Sequence, residues 1–503
     1  MKNYYLTLFF LSIMMFTACN DAGEDDNGPD ESIEDFTEVG SISIGGEGAA
    51  EISAFDPLTK KLFVVNNEAD SKIDVLDLSD PTFPVISGNI PVSNYGGGVN
   101  SVAVKNGMLA AAIEANTAQE NGSVVVFSTE DHTELKVVTV GALPDMVTFT
   151  PDGAYILAAN EGEPNADYSV DPEGSVAIIS TIDFSVKIAG FSAFESKIAS
   201  LKADGYRVFG PNATLSQDTE PEYIAVSDDS KTAYVSLQEN NGIAIVDVVS
   251  GTISDIVPLG FKDHSVAGNE MDPSDRDDVI AFKPVPTFGI YQPDALATFT
   301  SGGATYIITA NEGDAREYDT YVEEARVEDL ELDPNVFTDS ELQNEENLGR
   351  LTITTTLGDA NGDGLYEELY SFGTRSFSIW TSTGELYYDS GSALERDLVT
   401  NLSGAYDEGR SDNKGVEPEG VTVGMVGGRT IAFVGLERVD AVSLYDISNP
   451  AAPEFIAVFE TGDAPEGLVF VPHTESPNGY SMLIVSSEDD GQVKIYQSKQ
   501  VLD

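Results

Sequence analysis

Short apolar runs with strand-like alternation recur along almost the whole chain: LFVVNN, SVVVF, YILAAN, TAYVSL, IAIVDV, TYIITAN, TIAFVGL and MLIVSSE. Turn dipeptides separate them, among them Asp152-Gly153, Asn241-Gly242 and Gly427-Gly428. Many short strands bounded by turn signals predict an all-β sandwich or propeller.

A polar device at the mouths of these strands selects the propeller. An acid or amide precedes the first strand of each repeat, at Glu51, Asn100, Asp145, Glu222, Asp294, Glu419 and Glu466. Proline stands immediately before Asp145, Glu222, Asp294, Glu419 and Glu466. A second acid closes the following strand at Glu68, Glu114, Glu161, Glu239, Glu312, Glu437 and Glu488, 14 to 22 residues further on. That spacing fits two strands joined by a hairpin. A third strand follows each time, as IDVLDL, SVVVF, SVAIIS, IAIVDV, LTITTT, VSLYDI and QVKIYQ. The pattern predicts a single β-propeller over residues 38–499 with seven blades, or eight if Glu368–Gly391 forms its own. Polar insertions interrupt it near 260–290, 314–347 and 393–416, and Ser192–Gly205, with Ser192 and Glu195 at capping-box spacing, predicts a short helix.

In an antiparallel hairpin the start of one strand lies beside the end of the next. The two acids of each repeat are therefore expected side by side on one face, near a central channel. Two carboxylates about 5 Å apart repel by roughly 3 kcal/mol at an effective dielectric of 20. Taken singly, each acid is equally a turn device bonding backbone N–H groups. As a ring they demand protons, basic partners or metal ions.

Composition sharpens this. The chain carries 86 acidic against 25 basic residues, a formal charge of −61, with 41% hydrophobic residues. It is a globular chain, and its charge argues against nucleic acid or an anionic membrane surface as a partner. At the N-terminus Lys2 precedes an apolar run, Tyr4–Phe16, too short to span a bilayer as a helix, and then Cys19, the only cysteine. Residues 1–18 are expected to be a lipoprotein signal peptide, with Cys19 lipidated after cleavage and residues 19–37 an acidic disordered tether. The domain would then be exported and lipid-anchored to a bacterial outer membrane or cell surface, as a monomer. A sole cysteine also excludes disulfides and thiolate metal sites in the folded part.

Two further features carry chemistry. GDANGDGLYEE places Asp359, Asn361, Asp363 and Glu367 on alternate residues around Gly364, and with the carbonyl of Leu365 these suit calcium. The last position of an EF-hand is missing, so the stretch is similar to the shorter calcium loops of propeller proteins. Basic residues are few, yet Arg316 follows Glu312, Arg438 follows Glu437 and Lys414 precedes Glu419. Either they neutralise the neighbouring acids, or they bind phosphoryl oxygens beside metal-bound carboxylates. His132, His264 and His473 form no paired motif, which argues against a zinc hydrolase or a histidine triad.

The stretches EPEYIAVS (220–227), ANEGDAREY (310–318), FGTRSFSIW (372–380), DNKGVEPEGVTVG (412–424), LERVDAVSLYDISNP (436–450) and APEGLVFVP (464–472) resemble the choice-of-anchor I family. The resemblance implies a secreted or surface-anchored bacterial propeller, and some members of the family carry an alkaline-phosphatase label. Two functions are therefore expected. One is a calcium-dependent phosphoester hydrolase, with Glu161, Glu239, Glu312, Glu419 and Glu437 holding calcium and Arg316, Arg438 and Lys414 binding phosphate. The other is a non-catalytic adhesion or ligand-binding propeller stiffened by calcium.

Overall fold

The computed structural model describes residues 31–500. The expected signal peptide and Cys19 lie outside them. Seven four-stranded antiparallel sheets account for most of the chain. Their first strands are Ala49–Asp56, Val99–Lys105, Pro144–Phe149, Ile224–Val226, Leu296–Ser301, Pro418–Val426 and Pro465–Val471. Each first strand packs against the next in chain order, and Pro465–Val471 packs against Ala49–Asp56.

Burial explains why the second strands read as unbroken apolar runs. Lys61–Asn66, Tyr155–Asn160 and Met482–Ser487 are covered on both faces, because neighbouring sheets lie on either side. The fourth strands lie outermost; Val85–Pro91 and Val186–Gly190 are mostly exposed. There is accordingly no single core. Seven apolar clusters sit between consecutive sheets: Phe63, Val75 and Phe127 join the first two, and Leu62, Val64 and Ile484 join the last to the first. Four-stranded sheets packed face to face, first strands innermost, make an all-β fold of the propeller type.

Three expectations need correcting. Residues 31–37 are not tether but part of the strand Glu31–Ser43, which pairs with Gln492–Gln500 as the outermost strand of the seventh sheet. Ile33 and Phe36 are buried there, the Phe36 ring 5.3 Å from that of Phe433. The Glu31 carboxylate accepts hydrogen bonds from the Ser481 backbone N–H and from the hydroxyls of Ser481 and Ser498. Phe36→Ala is expected to destabilise the protein by about 3–5 kcal/mol in denaturant unfolding, whereas a tether residue would change nothing.

Second, LTITTT does not supply the third strand of the fifth sheet. Thr352–Thr354 joins a separate five-stranded sheet formed by the insertions. The third and fourth strands are Ser376–Thr381 and Leu386–Asp389, so the segment considered as an eighth blade completes the fifth sheet. Ser376–Thr381 wins because Phe377, Ile379 and Trp380 fill the cores on both sides of that sheet. Third, the short helix expected within Ser192–Gly205 is present as Ile198–Ala203 after a 3₁₀ turn, Ser192–Lys197, but the Ser192–Glu195 capping box does not form. Glu195 instead accepts from the backbone N–H groups of Leu215 and Ser216, capping the next helix.

Candidate functional site

Three of the five Pro-acid turns are bulges that aim carboxylates inward. Leu143, Gln292, Glu417 and Ala464 each stand two residues ahead of the acid with φ of 45, 42, 48 and 54°. A left-handed conformation in a non-glycine residue costs about 1–3 kcal/mol and persists only where the surroundings impose it. The strand register slips at three of these four turns, turning Asp145, Glu419 and Glu466 toward the space enclosed by the first strands. Glycine follows for a packing reason. A Cβ on Gly420 would lie 2.4 Å from the Glu466 carbonyl oxygen, and one on Gly467 2.5 Å from that of Glu51. Adjacent first strands approach too closely there for any side chain.

The result is an acidic cavity of about 350 Å³. It is lined by Asp145 and Glu161 of the third sheet, Glu222 and Gln238 of the fourth, Asp294, Glu312 and Asp314 of the fifth, Glu419 and Glu437 of the sixth, and Glu466 of the seventh, with Lys414 and Arg438 the two basic groups. The expected side-by-side acid pairs form in the third, fifth and sixth sheets. The closing acids of the first two sheets drop out: Glu68 is exposed and folds over Gly45, and Glu114 lies against Gly97, while Glu51 of the first sheet faces Glu488 and Asp145 at the arc's edge. What the sequence suggests as a full ring is an arc.

Electrostatics within the arc are strained. Burial, and then the neighbouring Asp145, push the Glu161 carboxyl well above the usual range. Burial, followed by Glu466 and Glu312, does the same to Glu419. Glu312 is raised by burial and by Asp294, against the opposing pull of Lys414. Asp294 and Glu51 are each pushed up to about 8, Glu437 to about 7, chiefly by burial. The buried Oε2 atoms of Glu222, Glu239 and Glu419 have no hydrogen-bond partner.

Within the arc, ligand oxygens of Asp294, Glu312 and Glu419 lie within 4.8 Å of one another, and so do those of Glu312, Glu417 and Glu437. Glu312 belongs to both groups. Its carboxylate accepts from Gln238 Nε2 at 2.8 Å and lies 3.9 Å from Lys414 Nζ, which is 2.8 Å from Asp314. Arg438 contacts Glu437 at 2.8 Å and Glu417 at 3.3 Å. Of the expected site residues, Glu161, Glu312, Glu419, Glu437, Lys414 and Arg438 thus meet in one cavity. Glu239 is buried behind its wall, its carboxyl raised to about 7 by burial. Asp145, Glu222, Asp294 and Glu466, acids of the same Pro-acid series, join them; Asp314, Glu417 and Gln238 are additions, and the proline after Glu417 is the one local signal that could have marked it.

Arg316 is a correction. Its guanidinium is buried, bonded to Asp218 and, at 2.7 Å, to Glu220, and stacked over Phe209. It does not line the cavity, because these two acids consume its donors. Arg316→Met is expected to cost about 3–5 kcal/mol in unfolding free energy by stranding buried Asp218 and Glu220.

The loop Asp359–Glu367 gathers Asp359, Asp363 and Glu367 within 4.8 Å. Gly362 and Gly364 adopt φ of 75 and 91°, and their N–H groups donate to the Asp359 carboxylate. Asn361 turns its amide to Glu367, and Leu365 donates its N–H to Asp363 at 2.9 Å. The loop lies on the exposed insertion, apart from the acidic cavity. No helix among the described residues is long and apolar enough to cross a membrane.

Known proteins share this architecture. Hydrazine synthase of Kuenenia stuttgartiensis superimposes with a TM-score of 0.52 over 92% of this chain and 98% of that one, at 13% identity, a likeness of fold alone. Gigasin-3a of Magallana gigas is 31% identical over 189 residues, covering 31% of this chain and 66% of that protein. The mesenchyme-specific cell surface glycoprotein of Strongylocentrotus purpuratus is 28% identical over 302 residues, covering 50% of this chain and 38% of that protein. The chain therefore matches less than two thirds of either relative's length. Residues 51–450 match the choice-of-anchor I domain, and the chain belongs to that family.

Proposed function

We propose that this protein is a cell-surface propeller, its seven sheets the blades of one closed ring, whose acidic cavity takes up calcium and uses it to hold an extracellular ligand. The observation that carries the reading is the cavity's composition: nine carboxylates against Lys414 and Arg438, with buried oxygens of Glu222 and Glu419 left without donors. The donors are all oxygen, which suits a hard cation, and their irregular spacing suits the flexible coordination of calcium better than the octahedron of magnesium. Ring closure is supported by the packing of the seventh sheet on the first and by the N-terminal strand completing that last sheet. A surface location is supported by the description of the Strongylocentrotus purpuratus relative, and lipidation of Cys19 would supply the anchor. The Asp359–Glu367 loop would hold a separate, structural calcium.

One observation favours a second reading, phosphoester hydrolysis: the two carboxylate groups share Glu312, beside Lys414 and Arg438. Calcium bound there supplies positive charge to screen a phosphoryl group and acidify water. Lys414 and Arg438 would then orient phosphoryl oxygens against that wall, with Glu312 held in place by Gln238. Calorimetry with calcium tests the first reading; absence of uptake by folded protein overturns it. Phosphate release from a generic phosphomonoester, with calcium and then with chelator, tests the second, which fails if neither condition gives turnover.

A further inference from the structure

A second set of unpartnered oxygens lies outside the cavity, where the insertion Met271–Lys283 meets the segment Tyr406–Asn413. Asp272 is fully buried; its Oδ2 accepts from the Ala281 backbone N–H at 2.7 Å, and its Oδ1 has no hydrogen-bond partner. Both carboxylate oxygens of Glu408 are shielded from solvent and equally without partners. Asp277 completes the group, one oxygen from each of the three lying within 4.8 Å of the others. The Tyr406 hydroxyl and Asn413 Oδ1 are also buried and unpartnered on the same segment.

The backbone around this group is held firmly. Buried Arg375 donates to the carbonyl oxygens of Asp272 at 2.8 Å, Ser411 at 2.7 Å and Asn413 at 2.9 Å, so a single guanidinium fixes both segments. Met271 and Lys283 bridge each other across the base of the insertion. Among the described residues one ammonium is within ion-pair distance of the three acids, Lys283 at 3.6 Å from Asp277. Lys283 and the Arg375 guanidinium offset part of the charge of the three carboxylates but donate to none of the free oxygens of Asp272 and Glu408, and a buried carboxylate oxygen without a donor is costly. Burial and the neighbouring acids accordingly push Glu408 up to about 7 and raise Asp272.

We propose that Asp272, Asp277 and Glu408 bind a calcium ion that staples the 271–283 insertion to the 406–413 segment. All donors are oxygens carried on loops, the setting in which calcium is preferred over ions that demand rigid geometry. The staple has a consequence for the acidic cavity. Arg410, on the stapled segment, donates to Glu417, and Lys414 follows directly. The ion would fix the wall from which Lys414, Glu417 and Glu419 project.

The test counts calcium in the full chain, stripped with chelator and re-equilibrated with calcium alone, by elemental analysis and calorimetry. Asp277→Asn, a near-isosteric change at an acid whose side chain keeps some contact with solvent, should lose one equivalent or weaken that site about tenfold, with circular dichroism unchanged. Lys283→Met, which removes the competing ammonium, should tighten the same site several-fold. Glu419→Gln should remove a different equivalent, and its loss should add to that of Asp277→Asn, so failure of the cavity reading is distinguishable from failure of this one. Unchanged stoichiometry and affinity in Asp277→Asn, or no tightening in Lys283→Met, overturns the proposal.

Discussion

Glu419→Gln is expected to weaken calcium uptake in the acidic cavity while making the calcium-free protein more stable. The two signs together separate a ligand from a turn residue. Glu419 shares the group formed with Asp294 and Glu312, and its Oε2 is buried without a donor. Glutamine keeps the volume and cannot ionise, so it removes the cost that burial and the neighbours Glu466, Glu312, Glu437 and Asp294 impose on the Glu419 carboxylate. Relief of that repulsion should raise unfolding free energy in chelator by about 1–2 kcal/mol, as replacing uncompensated buried charge commonly does. Calcium affinity should fall at least about tenfold, since ligand charge count sets it. Were Glu419 instead a structural acid bonding backbone N–H groups, the same change would destabilise the protein and leave calcium binding intact. Denaturant unfolding with and without chelator, beside a calorimetric titration, reads both signs.

The second large effect is a reversal of pH dependence by calcium. In chelator, thermal stability should fall as pH rises from about 5.5 to 8; with saturating calcium it should rise. The sign follows from proton counts. Asp294 and Glu51 titrate at about 8 in the folded protein, Glu437 and Glu239 at about 7, all above the ordinary carboxylate range of the unfolded chain. Between the two ranges the folded state holds protons that unfolding releases, so raising pH favours the unfolded state. The penalty is absent below the unfolded values and complete above about 8. Carboxylates held low by local hydrogen bonds, such as Asp152 and Asp229, titrate below this window and do not mask it. Calcium binds the deprotonated acids, so it competes with protons and inverts the slope. Melting curves at three pH values, with calcium and with chelator, decide it; parallel slopes would mean that the cavity does not take up the ion.

Much of the fold was legible because its information is local. Alternation with turn dipeptides marks strands and hairpins, and the spacing from Asp294 to Glu312 or from Glu419 to Glu437 places the paired acids on neighbouring strand ends. The proline before Glu419 marks the bulge, and the glycine after it the close approach of the next strand. The clustering of Asp359, Asp363 and Glu367 was legible for the same reason, since they fall within one short turn.

What the sequence by itself determined, then, is the β architecture, the insertions and the candidate carboxylates, each written in short-range period and spacing. Tertiary structure decided which of these meet and which are spent. Arg316 follows Glu312 closely in the chain, yet its charge is consumed by Asp218 and Glu220, brought in from the preceding sheet region. Residues 31–37 look like solvated tether until Ile33 and Phe36 find Phe433 and the last strand offers its free edge. Thr352–Thr354 and Ser376–Thr381 are equally strand-like, and the cores on either side of the fifth sheet chose the second. Asp272, Asp277 and Glu408 carry no shared motif and become a group through the backbone clamp of Arg375. In each case the deciding term is desolvation or charge neutralisation between segments far apart in the chain, which no local pattern encodes.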